Sequence, residues 1–167
     1  QERVEIGPNM TAGELHDQLM YSGADLLVKT VEAMAAGDYP LQDQVGLLAG
    51  REPKHAPKIF KEDMKVDWTL GVDAIFNHIR GLSPFPTAWT EFRNKKNGEV
   101  VSLKIFETER IIKDHGKDVG LSTDNKTYLD VLVEGGVIRI KELQLSGKKR
   151  MKTEEFLRGF HIEDYSL

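Results

Sequence analysis

The sequence predicts two unlike parts: an α/β fragment at the N-terminus and, after a linker, a mainly β domain built as a small five-stranded barrel with flanking helices. Three observations lead there. Residues 11–36 carry apolar side chains at helical spacing behind a clear start signal. Residues 38–65 hold no sustained period and contain Pro40, Pro53 and Pro57. After Thr87 the apolar pattern shortens to strand-length runs separated by glycines.

The elements follow in chain order. Gln1 to Ile6 alternates polar and apolar residues before Gly7-Pro8-Asn9 stops it, and reads as a strand entered midway. Thr11 with Glu14 three residues on is a capping box, in which hydroxyl and carboxylate each satisfy a backbone N–H that the first helical turn leaves free. The helix behind it runs to about Ala36. Its apolar residues are Leu15, Leu19, Leu26, Leu27, Val31 and Met34, and Gly37 ends it. Gly23 costs about 1 kcal/mol in its middle. A strand and one amphipathic helix bury too little surface to offset the chain entropy they lose, so this piece needs a body to dock on.

Asp38 to about Lys65 is predicted as a connecting arm. Periodicity returns at Val72, Ile75, Phe76 and Ile79, which predicts a helix over about Leu70 to Arg80 with Thr69 as N-cap and Gly81 as the stop. Strands are predicted at residues 88–92, 100–106, 119–122, 128–133 and 137–145, and a last helix starts at Thr153 with Glu154 and Glu155 in its first turn. Five short strands with a helix at each end fit an OB-like barrel best among the all-β architectures. Alternation places Trp89 and the other apolar strand residues inside, while Phe85, between two prolines, shows a face.

Of the 167 residues, 40% are hydrophobic and 30% charged, the balance of a folded chain rather than a disordered one. No apolar run approaches the roughly 18 to 20 residues that span a bilayer, and no secretory signal opens the sequence, so a cytoplasmic location and no membrane partner are expected. With no cysteine, disulfides and thiolate chemistry are excluded, and five histidines without ligand spacing predict no metal site. The net charge of −4 is uneven: residues 1–86 carry −5 and residues 87–167 carry +1. In the second half, Lys148, Lys149, Arg150 and Lys152 follow Gly147 in a turn suited to phosphates. Arg80, just ahead of Gly81 and two prolines, is either held for bidentate phosphate contact, paired with Asp67 or Glu91, or bonded to carbonyls at the helix end.

Four stretches in order carry a family resemblance: Thr11-Ala12-Gly13-Glu14-Leu15-His16-Asp17; Ala56-Pro57-Lys58-Ile59 with Lys61-Glu62-Asp63 and Val66-Asp67-Trp68; Ile79 to Trp89; and Leu145 to Met151. Together they resemble the C-terminal part of a methionyl-tRNA formyltransferase. The resemblance implies that residues 1–37 end a Rossmann-like formyl-transfer domain, that 38–65 link, and that 66–167 form an OB-like tRNA-binding domain. The family transfers a formyl group from its co-substrate 10-formyltetrahydrofolate to the amino group of methionyl-initiator tRNA. It uses an Asn, a His within His-Pro-Ser and a later Asp, and none of these motifs occurs here; Asn77-His78 is followed by Ile79-Arg80.

The expectation is therefore a chain without catalytic or cofactor-binding residues of its own, inactive alone. Its expected partners are initiator methionyl-tRNA and the missing N-terminal catalytic domain. Lys58 and Lys61 resemble basic linker positions that face tRNA, so the expected tRNA contacts are Lys148, Lys149, Arg150, Lys152, Arg80, Lys58 and Lys61. Two alternatives remain: the C-terminal part of a sugar or folate-linked formyltransferase relative, and a free-standing OB-type single-strand nucleic-acid binder. The long docking helix argues against the second.

Overall fold

All five predicted strands form in the computed structural model, which describes residues 1–167, and two short ones join them. They are β1 (Ala88–Asn94), β2 (Val100–Ile112), β3 (Gly120–Thr123), β4 (Leu129–Val133), β5 (Gly136–Leu145), β6 (Met151–Lys152) and β7 (Tyr165–Ser166). The sheet order is β3-β4-β5-β2-β1-β7, with β6 also on β5, and every named pairing is antiparallel. The Asn125 side-chain Nδ2, in the β3–β4 turn, donates to the Glu163 carboxylate just ahead of β7, so the two edges of the sheet come close. The result is a nearly closed barrel with flanking helices, consistent with an OB-like fold. β2 continues past its predicted end because a bulge around Phe106 bends it; one strand then pairs with β1 before the bend and with β5 from Leu103 onward.

The helices are α1 (Ala12–Ala36), α2 (Gln44–Leu48), α3 (Val72–Leu82) and α4 (Thr153–Leu157). Val72, Ile75, Phe76, Ile79 and Leu82 of α3 fall on one face and enter the same core as Phe92, Leu103, Ile105, Leu129 and Ile140 of the barrel. Phe156 and Leu157 of α4 complete it. Helix α3 is displaced toward the C-terminus from its predicted span. Thr69 does not cap it, since its hydroxyl and amide both donate to Asp67, at 2.6 and 3.0 Å, and Gly71 takes the cap position. Gly81 does not stop it either. Burying Leu82 contributes about 1.5 to 3 kcal/mol, against about 1 kcal/mol for a helical glycine, so the helix runs on until Ser83.

Two further expectations fail. Residues 1–6 form no strand, so only the helix of the expected strand-helix piece is present; a lone extended segment has no neighbour to receive its backbone hydrogen bonds. Trp89 does not enter the core: Ala88 and Thr90 face inward, at 0% and 2% exposure, and the strand alternation turns Trp89 outward.

Helix α1 forms as the capping box requires, with Thr11 N donating to Glu14 Oε2 at 2.7 Å and Glu14 N to Thr11 Oγ1 at 3.2 Å. Gly37 ends it in the left-handed region at φ 73°, where a Cβ would be strained. The helix has no buried residue. Leu19, Met20, Tyr21, Leu27, Val28, Val31 and Met34 are all exposed, so its apolar side finds no body within this chain. It meets the barrel at its first turn, where the Gly13 amide donates to Ser83 O at 2.9 Å.

Asp124 organises the β3–β4 turn by accepting from the Thr127 hydroxyl and from the amides of Thr127, Lys126 and Tyr128. These bonds, the Thr127 hydroxyl first, hold its carboxyl well below its ordinary value of 3.8. A depressed carboxylate contributes stability that is fully present above the unfolded value and is lost as pH falls below it. An NMR titration should therefore place the Asp124 midpoint below 3.8, with the turn amides losing protection in that same acid range. A midpoint at or above 3.8 would contradict the turn's hydrogen bonding.

Candidate nucleic-acid interface

The basic turn predicted from the sequence lies between β5 and β6, with its last cation, Lys152, on β6 itself. The Lys148 amide donates to Leu145 O at 2.9 Å, and Gln144 Nε2 donates to Lys148 O at 2.7 Å, so both backbone groups of Lys148 are anchored to β5. Two of its four cations are paired. Lys149 Nζ lies 2.8 Å from Glu155 Oε1, and Arg150 pairs with Glu142 while its guanidinium sits 4.3 Å from the Phe106 ring centroid. Hydrogen bonding between Lys149 and Glu155 raises the lysine's pKa and lowers the glutamate's. Both groups are solvent-exposed, so water and salt screen this pair. Lys148 and Lys152 are exposed and form no ion pair.

Arg80 takes the carbonyl option, but with a different segment. Its Nε donates to Asn77 Oδ1 at 2.7 Å, and its Nη1 donates to Met10 O at 2.6 Å and Gly7 O at 3.3 Å, ahead of α1. Asp67 and Glu91 are engaged elsewhere, by Thr69 and Lys65. Arg80 and Arg150 nonetheless line one cleft of about 1070 Å³ between the first turn of α1, the end of α3 and β2. Arg110 and Lys141 share that cleft with Glu14, Asp17, Glu107 and Glu109, so its lining is of mixed sign.

The linker lysines gather on aromatic rings. Lys58 Nζ lies 5.4 Å from the Phe60 centroid, while Lys61 and Lys65 lie 5.3 and 5.0 Å from that of Trp89. Trp89 Nε1 donates to Lys61 O at 2.8 Å, and Lys65 also pairs with Glu91 at 2.6 Å. The outward tryptophan thus fastens the end of the linker to β1. Strand register then extends this corner across the sheet: Trp89 opposes Lys104 on β2, and Lys104 opposes Gln144 on β5. Cross-strand partners share a face, so the three side chains form one outward row from the linker to the basic turn. Sequence reasoning placed no function on Lys104 or Gln144. Alternation around buried Leu103 and Ile105 turns Lys104 outward, but its neighbours depend on register.

Comparisons with known proteins bear on this arrangement. The family described as formyl transferase, C-terminal domain, matches residues 58–161. The methionyl-tRNA formyltransferase of Phocaeicola vulgatus is 44% identical over 166 residues, which is 98% of this chain and 51% of that protein. The same-named proteins of Bacteroides fragilis and Azobacteroides pseudotrichonymphae are 42% and 44% identical, over 98% and 95% of this chain and 51% and 50% of theirs. The chain spans about half the length of these relatives. Among solved structures, a variant of HypX from Aquifex aeolicus superposes with a TM-score of 0.63 at 14% identity, over 96% of this chain and 28% of that one. HypX in complex with tetrahydrofolic acid superposes at 0.52 and 16% identity, over 86% and 26%. At these identities the structural likeness speaks for the fold alone.

Proposed function

Because this chain belongs to the formyl transferase C-terminal domain family, we propose that it is the C-terminal half of a methionyl-tRNA formyltransferase. Its role in that enzyme is to bind initiator methionyl-tRNA and to hold it for a catalytic domain that precedes residue 38. The observation that carries this reading is the match to enzymes of that name along nearly the whole of this chain and half of theirs. Formyl transfer from the co-substrate 10-formyltetrahydrofolate to the methionyl amino group belongs to the other half, and this chain alone has no such activity. The division falls at residues 1–37, 38–65 and 66–167. The exposed apolar side of α1 supports it, since such a helix docks on something outside this chain. The same exposure disfavours a free-standing single-strand binder. As part of a translation enzyme the protein works in the cytoplasm.

The turn between β5 and β6 grips tRNA phosphates chiefly through Lys148 and Lys152, whose ammonium groups no carboxylate neutralises. Binding of the full chain to initiator methionyl-tRNA, measured against salt, tests this. Each phosphate contact contributes about −0.7 to −0.9 to the slope of log K against log salt, so replacing Lys148 and Lys152 together by Ala should flatten the slope by roughly two contacts. Lys149→Ala should flatten it less, because that cation must first leave Glu155. A slope that both changes leave intact removes the turn from the interface.

A further inference from the structure

We propose that Lys61, Lys104 and Lys148 mark one continuous track for the ribose-phosphate backbone of the RNA, running across the outer face of β1, β2 and β5, with Lys104 as its central contact. This rests on the tRNA-binding reading above and adds the path that the RNA follows.

The register carries the argument. Inward, Ala88, Ile105 and Leu143 oppose one another and are each 0% exposed. The next row, Trp89, Lys104 and Gln144, must then face outward, and Lys104 is exposed there. At one end, the Trp89 indole holds the Lys61 carbonyl and takes the Lys61 ammonium over its ring. At the other, Gln144 holds the Lys148 carbonyl. Two segments far apart in the chain are thereby delivered to opposite ends of one row, each by a direct hydrogen bond from a member of that row.

Its middle offers a place for a ligand. A depression of about 260 Å³ is lined by Ser102, Lys104, Gln144, Leu145, Ser146 and Gly147. Lys104 makes no ion pair, although most charged residues elsewhere on β2, such as Glu109 and Arg110, do. A cation without a carboxylate partner, beside two hydroxyls and a side-chain amide, suits a phosphodiester and its ribose. Base stacking is not the mode here. Two lysines already lie over the Trp89 ring, the aromatic group of the row, so the track reads backbone charge rather than base faces.

Salt-dependent binding of the full chain to initiator methionyl-tRNA tests the track with two single variants, Lys104→Ala on it and Lys126→Ala in the β3–β4 turn as an unpaired lysine off it. Circular dichroism confirms that the exposed substitutions leave the fold intact. Lys104→Ala should flatten the log K against log salt slope by about 0.7 to 0.9, one phosphate contact, and Lys126→Ala should not change it. If Lys104→Ala keeps the wild-type slope while the Lys148 and Lys152 change flattens it, the track is overturned and tRNA binding by the turn stands. Equal effects of Lys104→Ala and Lys126→Ala overturn the track as well, since they indicate diffuse charge. A wild-type chain that binds no tRNA overturns both readings.

Discussion

Asp130→Ala is expected to lower the stability of the barrel by about 2 to 3 kcal/mol in urea unfolding. Asp130, on β4, opposes Arg139 on β5, and the two form a bidentate pair, with Nε 2.8 Å from Oδ1 and Nη2 2.9 Å from Oδ2. The aspartate side chain is 10% exposed and the arginine side chain 33%. Removing one partner of a fully buried pair costs roughly 3 to 5 kcal/mol, because the other charge is left without compensation. Here the arginine retains access to water and lies 5.2 Å from the Tyr128 ring centroid, and that partial exposure reduces the cost. Changing Arg139 to Met in the Asp130→Ala background should recover part of the loss, since the orphaned charge is then gone. A loss under about 1 kcal/mol for Asp130→Ala would mean that the pair behaves as a surface ion pair.

At Gly13, substitution by Ala sets two effects of opposite sign against each other. Replacing a helical glycine by alanine ordinarily stabilises by about 0.5 to 1 kcal/mol. Yet a Cβ at Gly13 would fall against Pro84 Cδ at well under 3.0 Å, a separation that real Cβ atoms essentially never show. A proline ring cannot swing aside as the end of a long side chain does, and such overpacking costs about 1 to 3 kcal/mol. The steric term is the larger. Gly13→Ala should therefore release the first turn of α1 from the barrel, breaking the bond from residue 13 to Ser83 O and loosening the hold of Arg80 on Gly7 and Met10. Hydrogen exchange reads this directly: the residue 13 amide should lose at least about tenfold in protection while core amides of β2 and β5 keep theirs, because α1 buries nothing in that core. Protection equal to wild type would show that the close approach relaxes freely.

The candidate surface was unevenly legible in the sequence. The basic turn could be read because its four cations are neighbours in the chain, and α1, α3, α4 and five strands because capping and periodicity are local properties, whereas the short α2 lies in the segment read as a connecting arm. What each cation does there was not legible. Lys149 and Arg150 are partly neutralised by Glu155 and Glu142, and Arg80 bonds to the carbonyls of Gly7 and Met10, some seventy positions away along the chain. Trp89 was assigned to the core because alternation and the need of a small barrel for bulky inward side chains were read to place it there, yet the other set of the strand, Ala88, Thr90 and Phe92, is the one that faces inward.

By itself, then, the sequence determined the five main strands, helices α1, α3 and α4, the barrel class and the family, because these rest on short-range patterns and on motifs in a definite order. Tertiary structure alone decided which cations remain free, how the linker is fastened, and that Trp89, Lys104 and Gln144 share a row. The physical reason is register. A shift of one residue between β1 and β2 would turn the outward set inward, and no local pattern encodes which residues then meet across three strands.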